Sequence, residues 1–160
     1  MKSDEAMTPE KYPERQPREP FRLVLALCAA EGEYQLEEFD RVVLRRFGSC
    51  APFPQLYKDH QRRVNTLQYL CRKYHLGVPK NTMPRPECPK HWPEVIHTEL
   101  TLLQGNLRVY DNLLILPVHE REVDRVLTAL RNEIIQTHLP LVLAQASINT
   151  IKHGQRVRVS

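Results

Sequence analysis

Glycine is scarce in this 160-residue chain, with 5 residues, and tryptophan occurs once. No Gly-rich loop able to cradle a phosphate is present, and no H-E-x-x-H pair announces a catalytic metal. No apolar run approaches the roughly 20 residues that a membrane span needs, so no membrane association is expected. The opening stretch MKSDEAMTPEKYPERQPREP has no apolar h-region and does not read as a secretory signal. The four cysteines are unevenly spaced, which points to the reducing interior of a cell, cytoplasm or nucleus. No internal repeat is visible.

What is there fits a globular protein of one domain or two small ones, with 41% hydrophobic and 26% charged residues. Proline is abundant, 13 in all, and four lie in the first 20 residues. The net charge of +4 is unevenly spread. Residues 1–40 carry 5 Lys/Arg against 10 Asp/Glu, and residues 41–90 carry 11 against 2. Residues 91–160 balance at 7 against 7. A basic middle segment of this kind suggests a polyanionic partner.

Residues 1–19, acidic and Pro-rich, read as a disordered arm. PFRLVLALCAAEG reads as a buried helix started by Pro20 and stopped at Gly32. Leu36, Phe39, Val43 and Phe47 form a helical stripe that Gly48 closes. A third helix is expected from Gln55 to His75. Residues 77–93 hold five prolines and no periodicity, so they read as an irregular connection. Further on, PEVIHTELTLLQGN, EREVDRVLTALRNEIIQTH and LPLVLAQASINTIKHG look helical. LRVYDNLLILPV is a β-type run broken at Asp111-Asn112, which suggests a hairpin, and QRVRVS alternates like a strand. The expected class is therefore mainly α with a small β component (α+β).

On a helical wheel, Val64, Leu67, Leu70 and Tyr74 of the third helix fall on one side. His60 falls with them and is expected to pack there. The other side gathers Lys58, Gln61, Arg62, Asn65, Gln68, Tyr69, Arg72 and Lys73. These are residue types that meet phosphates and base edges. RRVNTLQYLCRKYHLGV resembles the recognition-helix region of winged-helix proteins. The resemblance implies a helix-turn-helix or winged-helix-like unit over 20–80 that lays this helix in the major groove. Residues 81–93 would be a Pro-rich connection, and 94–160 a helical or α/β unit for homodimerisation or partner binding.

Cys71, His75, Cys88 and His91 follow the spacing C-x3-H-x12-C-x2-H. Two short-spaced pairs of thiolate and imidazole donors suit a structural zinc ion, here pinning the Pro-rich connection to the third helix. Cys50 and His60 are possible substitute ligands. His97-Thr98-Glu99 and His119-Glu120 are bare His/acid pairs without a motif, so no enzyme is expected. The leading expectation is a DNA-binding transcriptional regulator, with DNA favoured over RNA. An adaptor whose basic surface meets an acidic protein or RNA is the alternative, and a small nucleic-acid-processing enzyme comes third.

Overall fold

The computed structural model describes residues 32–115 and 121–157, with side chains up to residue 148. The acidic arm, the 20–31 segment and Cys28 lie outside the described residues. Five helical segments follow: α1 (Tyr34–Phe47), α2 (Phe53–Lys73), α3 (Trp92–Ile115), α4 (Arg121–Glu133) and α5 (Leu139–Val157). A π turn, Ile134–His138, joins α4 to α5 with helical backbone on both sides, so the two form one long rod.

Paired residues give the direction of each helix. Glu33, just before α1, meets Arg63 of α2 and Asn106 of α3, while Asp40 of α1 meets His60 and lies beside Glu99. Advancing along α1 thus means retreating along both α2 and α3. Lys73 meets Glu122, Arg63 meets Glu133, and Asp59 meets His138, so the α4–α5 rod runs antiparallel to α2. The result is a four-rod bundle in which α2 and α3 are parallel, and residues 74–91 return along its length as one long crossover. That connection is tied down as it passes α1: Tyr34 donates to the Pro79 carbonyl at 2.6 Å and Asn81 to Glu38 at 3.1 Å.

The main apolar core runs from Leu36 to Val142, and Tyr34 and Val64 form a small second cluster. The end of the main core nearest the α1–α2 turn is aromatic, with the Trp92 ring 5.3 Å from Phe47 and 5.5 Å from Phe53. The other end is aliphatic, built from Leu67, Leu70, Leu113, Val123 and Leu127. Between the two lies a polar layer.

The expected α+β class is corrected: among the described residues there is no strand. The supposed hairpin over 107–118 is the second half of α3 as far as Ile115. Val95, Leu103, Tyr110 and Leu113 keep a helical period across it, and burial of that face overrides the local β-type composition. Asp111 faces outward, where Arg131 pairs with it. No wing hairpin follows α2, because its place is taken by the crossover. QRVRVS is helical as far as Val157, with 158–160 outside the described residues. Residues 32–33 are in a π turn that runs into α1. Glycine fits there for its size: a Cβ at 32 would lie 1.9 Å from Asn106 Oδ1.

The end of α2 bears on His75. The Leu76 N–H donates to the Cys71 carbonyl at 2.8 Å and the His75 N–H to that of Arg72 at 3.1 Å. This is a Schellman cap, with His75 in its left-handed position at φ 55° and Leu76 buried. A β-carbon in that conformation costs about 1 kcal/mol. His75→Gly should therefore raise stability by about 1 kcal/mol in urea unfolding. A loss of stability would contradict the capping role and favour a ligand role for the imidazole.

Candidate functional site

The polar layer is built from charged side chains at core positions. Asp40 is one turn from Leu36, His60 one turn from Leu56 and Val64, and Glu99 one turn from Val95 and Leu103. Arg63 lies one turn before Leu67. The apolar stripes of three helices thus carry ionisable groups inward, and Asp40, His60, Arg63 and Glu99 are all 0% exposed.

One half of the layer is largely paired, with Arg63 Nη2 and Asn106 Oδ1 the buried polar atoms there that lack a hydrogen bond. Glu33 receives the Arg63 Nε at 2.9 Å, the Asn106 amide at 3.0 Å and the Tyr110 hydroxyl at 2.7 Å, and it forms an ion pair with Arg63 Nη2 at 2.7 Å. Arg63 also donates to the Leu130 carbonyl at 2.8 Å and to Glu133 at 3.0 Å. Burial alone would raise the Glu33 pKa, but the guanidinium outweighs it and holds the carboxyl well below its usual range.

The other half is not compensated. Both oxygens of Asp40, both of Glu99, and His60 Nε2 are buried without a hydrogen-bond partner. His60 Nε2 lies 3.5 Å from Asp40 and 3.7 Å from Glu99, beyond hydrogen-bond length. One ligand atom from each of the three residues lies within 4.8 Å of the others. Burial pushes the Asp40 carboxyl well above its ordinary range, and the neighbouring Glu99 adds to the rise. Burial works against a charged His60, but the oxygens of Glu33 and Glu99 and the charge of Asp40 raise its pKa to about 10. A pKa raised in this way favours a protonated ring between the carboxylates. Orphaned carboxylate oxygens in a core are rare and call for a water or an ion.

A second group lies outward of the first. Asp59, Glu133 and His138 also bring ligand atoms within 4.8 Å. His138 Nε2 is 3.2 Å from Asp59, and its ring centroid is 5.1 Å from that of His60. Burial lowers the His138 pKa, and the charges of His60 and Arg63 lower it further. Imidazole and carboxylate donors together suit divalent transition metals such as Mn, Fe or Zn.

The residues singled out from the sequence are placed differently. Lys58, Gln61, Asn65, Arg72, Lys73 and Tyr69, 56% exposed, lie on the outer face of α2. Arg62 is exposed too but pairs with Glu133, and Lys73 pairs with Glu122. Gln68 is half-buried and donates to the Tyr34 hydroxyl at 3.2 Å. Lys58, Gln61, Arg62, Asn65 and Tyr69 line an open groove of about 520 Å³. Cys71 is buried, Cys88 half-buried, and His75 and His91 exposed. The four do not converge: the metal-compatible groups among the described residues contain no cysteine. Cys50, Cys71 and Cys88 are free thiols, and burial pushes the latter two up. Glu33, Asp40, Asp59, Arg63, Glu99, Asn106, Glu133 and His138 are not among the site residues that the sequence suggests. The signal was in the sequence: a charged or amide residue three or four positions from core apolar ones.

No known protein family, curated protein or solved structure matches this chain.

Removing the guanidinium tests the compensated half. Arg63→Met should cost about 3–5 kcal/mol, because it leaves the buried Glu33 carboxylate uncompensated. Arg63→Lys should not restore that loss, since a point charge cannot serve Glu33, Leu130 and Glu133 together. Urea unfolding of both variants checks this, and full recovery with lysine would contradict it.

Proposed function

We propose that this protein is a metal-binding helical bundle that holds one divalent transition-metal ion in its core on Asp40, His60 and Glu99. The observation that carries the reading is the set of five orphaned polar atoms on these three buried side chains. Bundle cores hold metals in this way, with inward-projecting carboxylates and imidazoles on facing helices. Donors about 2.1 Å from one ion lie at most about 4.2 Å apart, so small rotamer shifts bring these three into range. The donor set is nitrogen and oxygen, unlike the thiolate zinc site expected from the cysteines. Three protein ligands leave coordination positions open. The reading is of binding and commits to no reaction.

The uncompensated carboxylates give this reading a signature in stability. Glu99→Leu should raise the stability of the metal-free protein by about 1–3 kcal/mol, since a buried carboxylate without a hydrogen-bond partner carries a desolvation cost that an apolar side chain does not. The same substitution should abolish stabilisation by added metal. For the unaltered protein, Mn²⁺ or Zn²⁺ at a hundredfold excess over Kd should add about 3 kcal/mol. Denaturant unfolding with metal and with chelator checks both. Equal midpoints under the two conditions would contradict the reading.

A second reading rests on the outer face of α2. Its exposed Lys58, Gln61, Asn65, Tyr69 and Arg72 are the residue types that contact a nucleic-acid backbone and bases, and the groove beside them is open. The pairing of Arg62 and Lys73 with carboxylates weakens it. Duplex DNA titrated across a salt series should show binding that falls steeply with ionic strength, and Arg72→Ala should weaken it. Protein that stays free at low salt ends this reading.

A further inference from the structure

We propose that Asp59, Glu133 and His138 form the entry site through which a cation reaches the core position, with the Arg62 guanidinium as a displaceable plug. This rests on the core reading above and extends it to how the site is filled.

Four observations converge. First, burial is graded: Asp40, His60 and Glu99 are 0% exposed, whereas the Asp59 and Glu133 side chains are 13% and 19% exposed. The outer group therefore touches solvent and the inner one does not. Second, the two groups adjoin. Asp59 and His60 are consecutive on α2, and the His60 and His138 rings stand 5.1 Å apart, within the reach of an ion moved from one imidazole to the next. Third, His138 is 0% exposed and its Nε2 lies 3.2 Å from Asp59 and 3.7 Å from Glu133, so a buried imidazole nitrogen already faces both carboxylates. Fourth, the π turn aligns the ligands. Residues five apart in a regular α-helix stand about 140° apart around the axis. The i→i+5 ring of Ile134–His138 swings His138 back to the side of Glu133.

Arg62 completes the arrangement. It is 54% exposed, pairs with Glu133, and lies 3.7 Å from Asp59. Its guanidinium supplies the positive charge that an incoming ion would supply, on the same two carboxylates. An ion entering here must first displace it, and a flexible exposed side chain is easily displaced.

Uptake kinetics test this with Co²⁺ alone, whose visible absorption reports entry into a nitrogen- and oxygen-donor site. Arg62→Gln should fill to the same final level as the unaltered protein but about fivefold faster, the scale of an exposed ion pair. Asp59→Asn should fill to that level more slowly. Arg62 is exposed, so its variant tests the plug without threatening the fold. Rates within twofold of the unaltered protein in both variants, at equal final occupancy, would overturn the entry site and leave the core reading standing. Failure of Co²⁺ to bind the unaltered protein at all would overturn the core reading, and this inference with it.

Discussion

Five carboxylates, Glu33, Asp40, Asp59, Glu99 and Glu133, converge in the middle of this bundle on the buried guanidinium of Arg63, the exposed one of Arg62 and two imidazoles. Each ion taken out of water carries a desolvation penalty of several kcal/mol. The bundle is stable only if that penalty is offset, and Arg63 is the sole permanently charged group in the layer that is fully buried. Its guanidinium geometry ties α2 to Glu33, to the Leu130 carbonyl and to Glu133. That one side chain therefore holds three rods in register. Asp40 and Glu99 lie beyond its reach, and their charge is left for a proton or a cation.

The long crossover makes this layer possible. With α2 and α3 parallel, His60 and Glu99 come to the same depth, opposite Asp40 on the antiparallel α1. A tight turn after α2 would reverse the direction of α3 and change which of its residues share that depth. The Schellman cap at His75 and the tethers from Tyr34 and Asn81 guide the chain along this path. The π turn is a second local irregularity with a positional consequence, since it sets His138 beside Asp59. A core of this kind costs stability, because leucines at the same positions would pack without any desolvation penalty.

Much of the helical framework was legible from periodicity and punctuation. Leu36, Phe39 and Val43 mark α1, Gly48 its end, and Val123, Leu127 and Leu130 the buried face of α4. The hairpin expected within 107–118 gives way to helix as far as Ile115, because β-branched and aromatic residues reflect local preference while burial against the rest of the bundle decides. The parallel pairing of α2 and α3 had no local signal, since it depends on contacts far apart in sequence. The site was partly legible. His60 stood on the apolar side of α2, but a single charged residue on a core stripe looks like a packing exception. Only when Asp40, His60 and Glu99 share one depth do three such exceptions become a site. The cysteine–histidine spacing illustrates the opposite hazard: regular spacing along the chain does not bring Cys71, His75, Cys88 and His91 together in space.

The central claim is that a cation belongs among Asp40, His60 and Glu99. Anomalous X-ray diffraction from crystals equilibrated with Mn²⁺, collected near the manganese absorption edge, addresses it most directly. The account predicts an anomalous peak within about 2.0–2.3 Å of an oxygen of Asp40, an oxygen of Glu99 and His60 Nε2. A layer with no anomalous peak there, and with ordered waters bridging the two carboxylates to the imidazole, would contradict it.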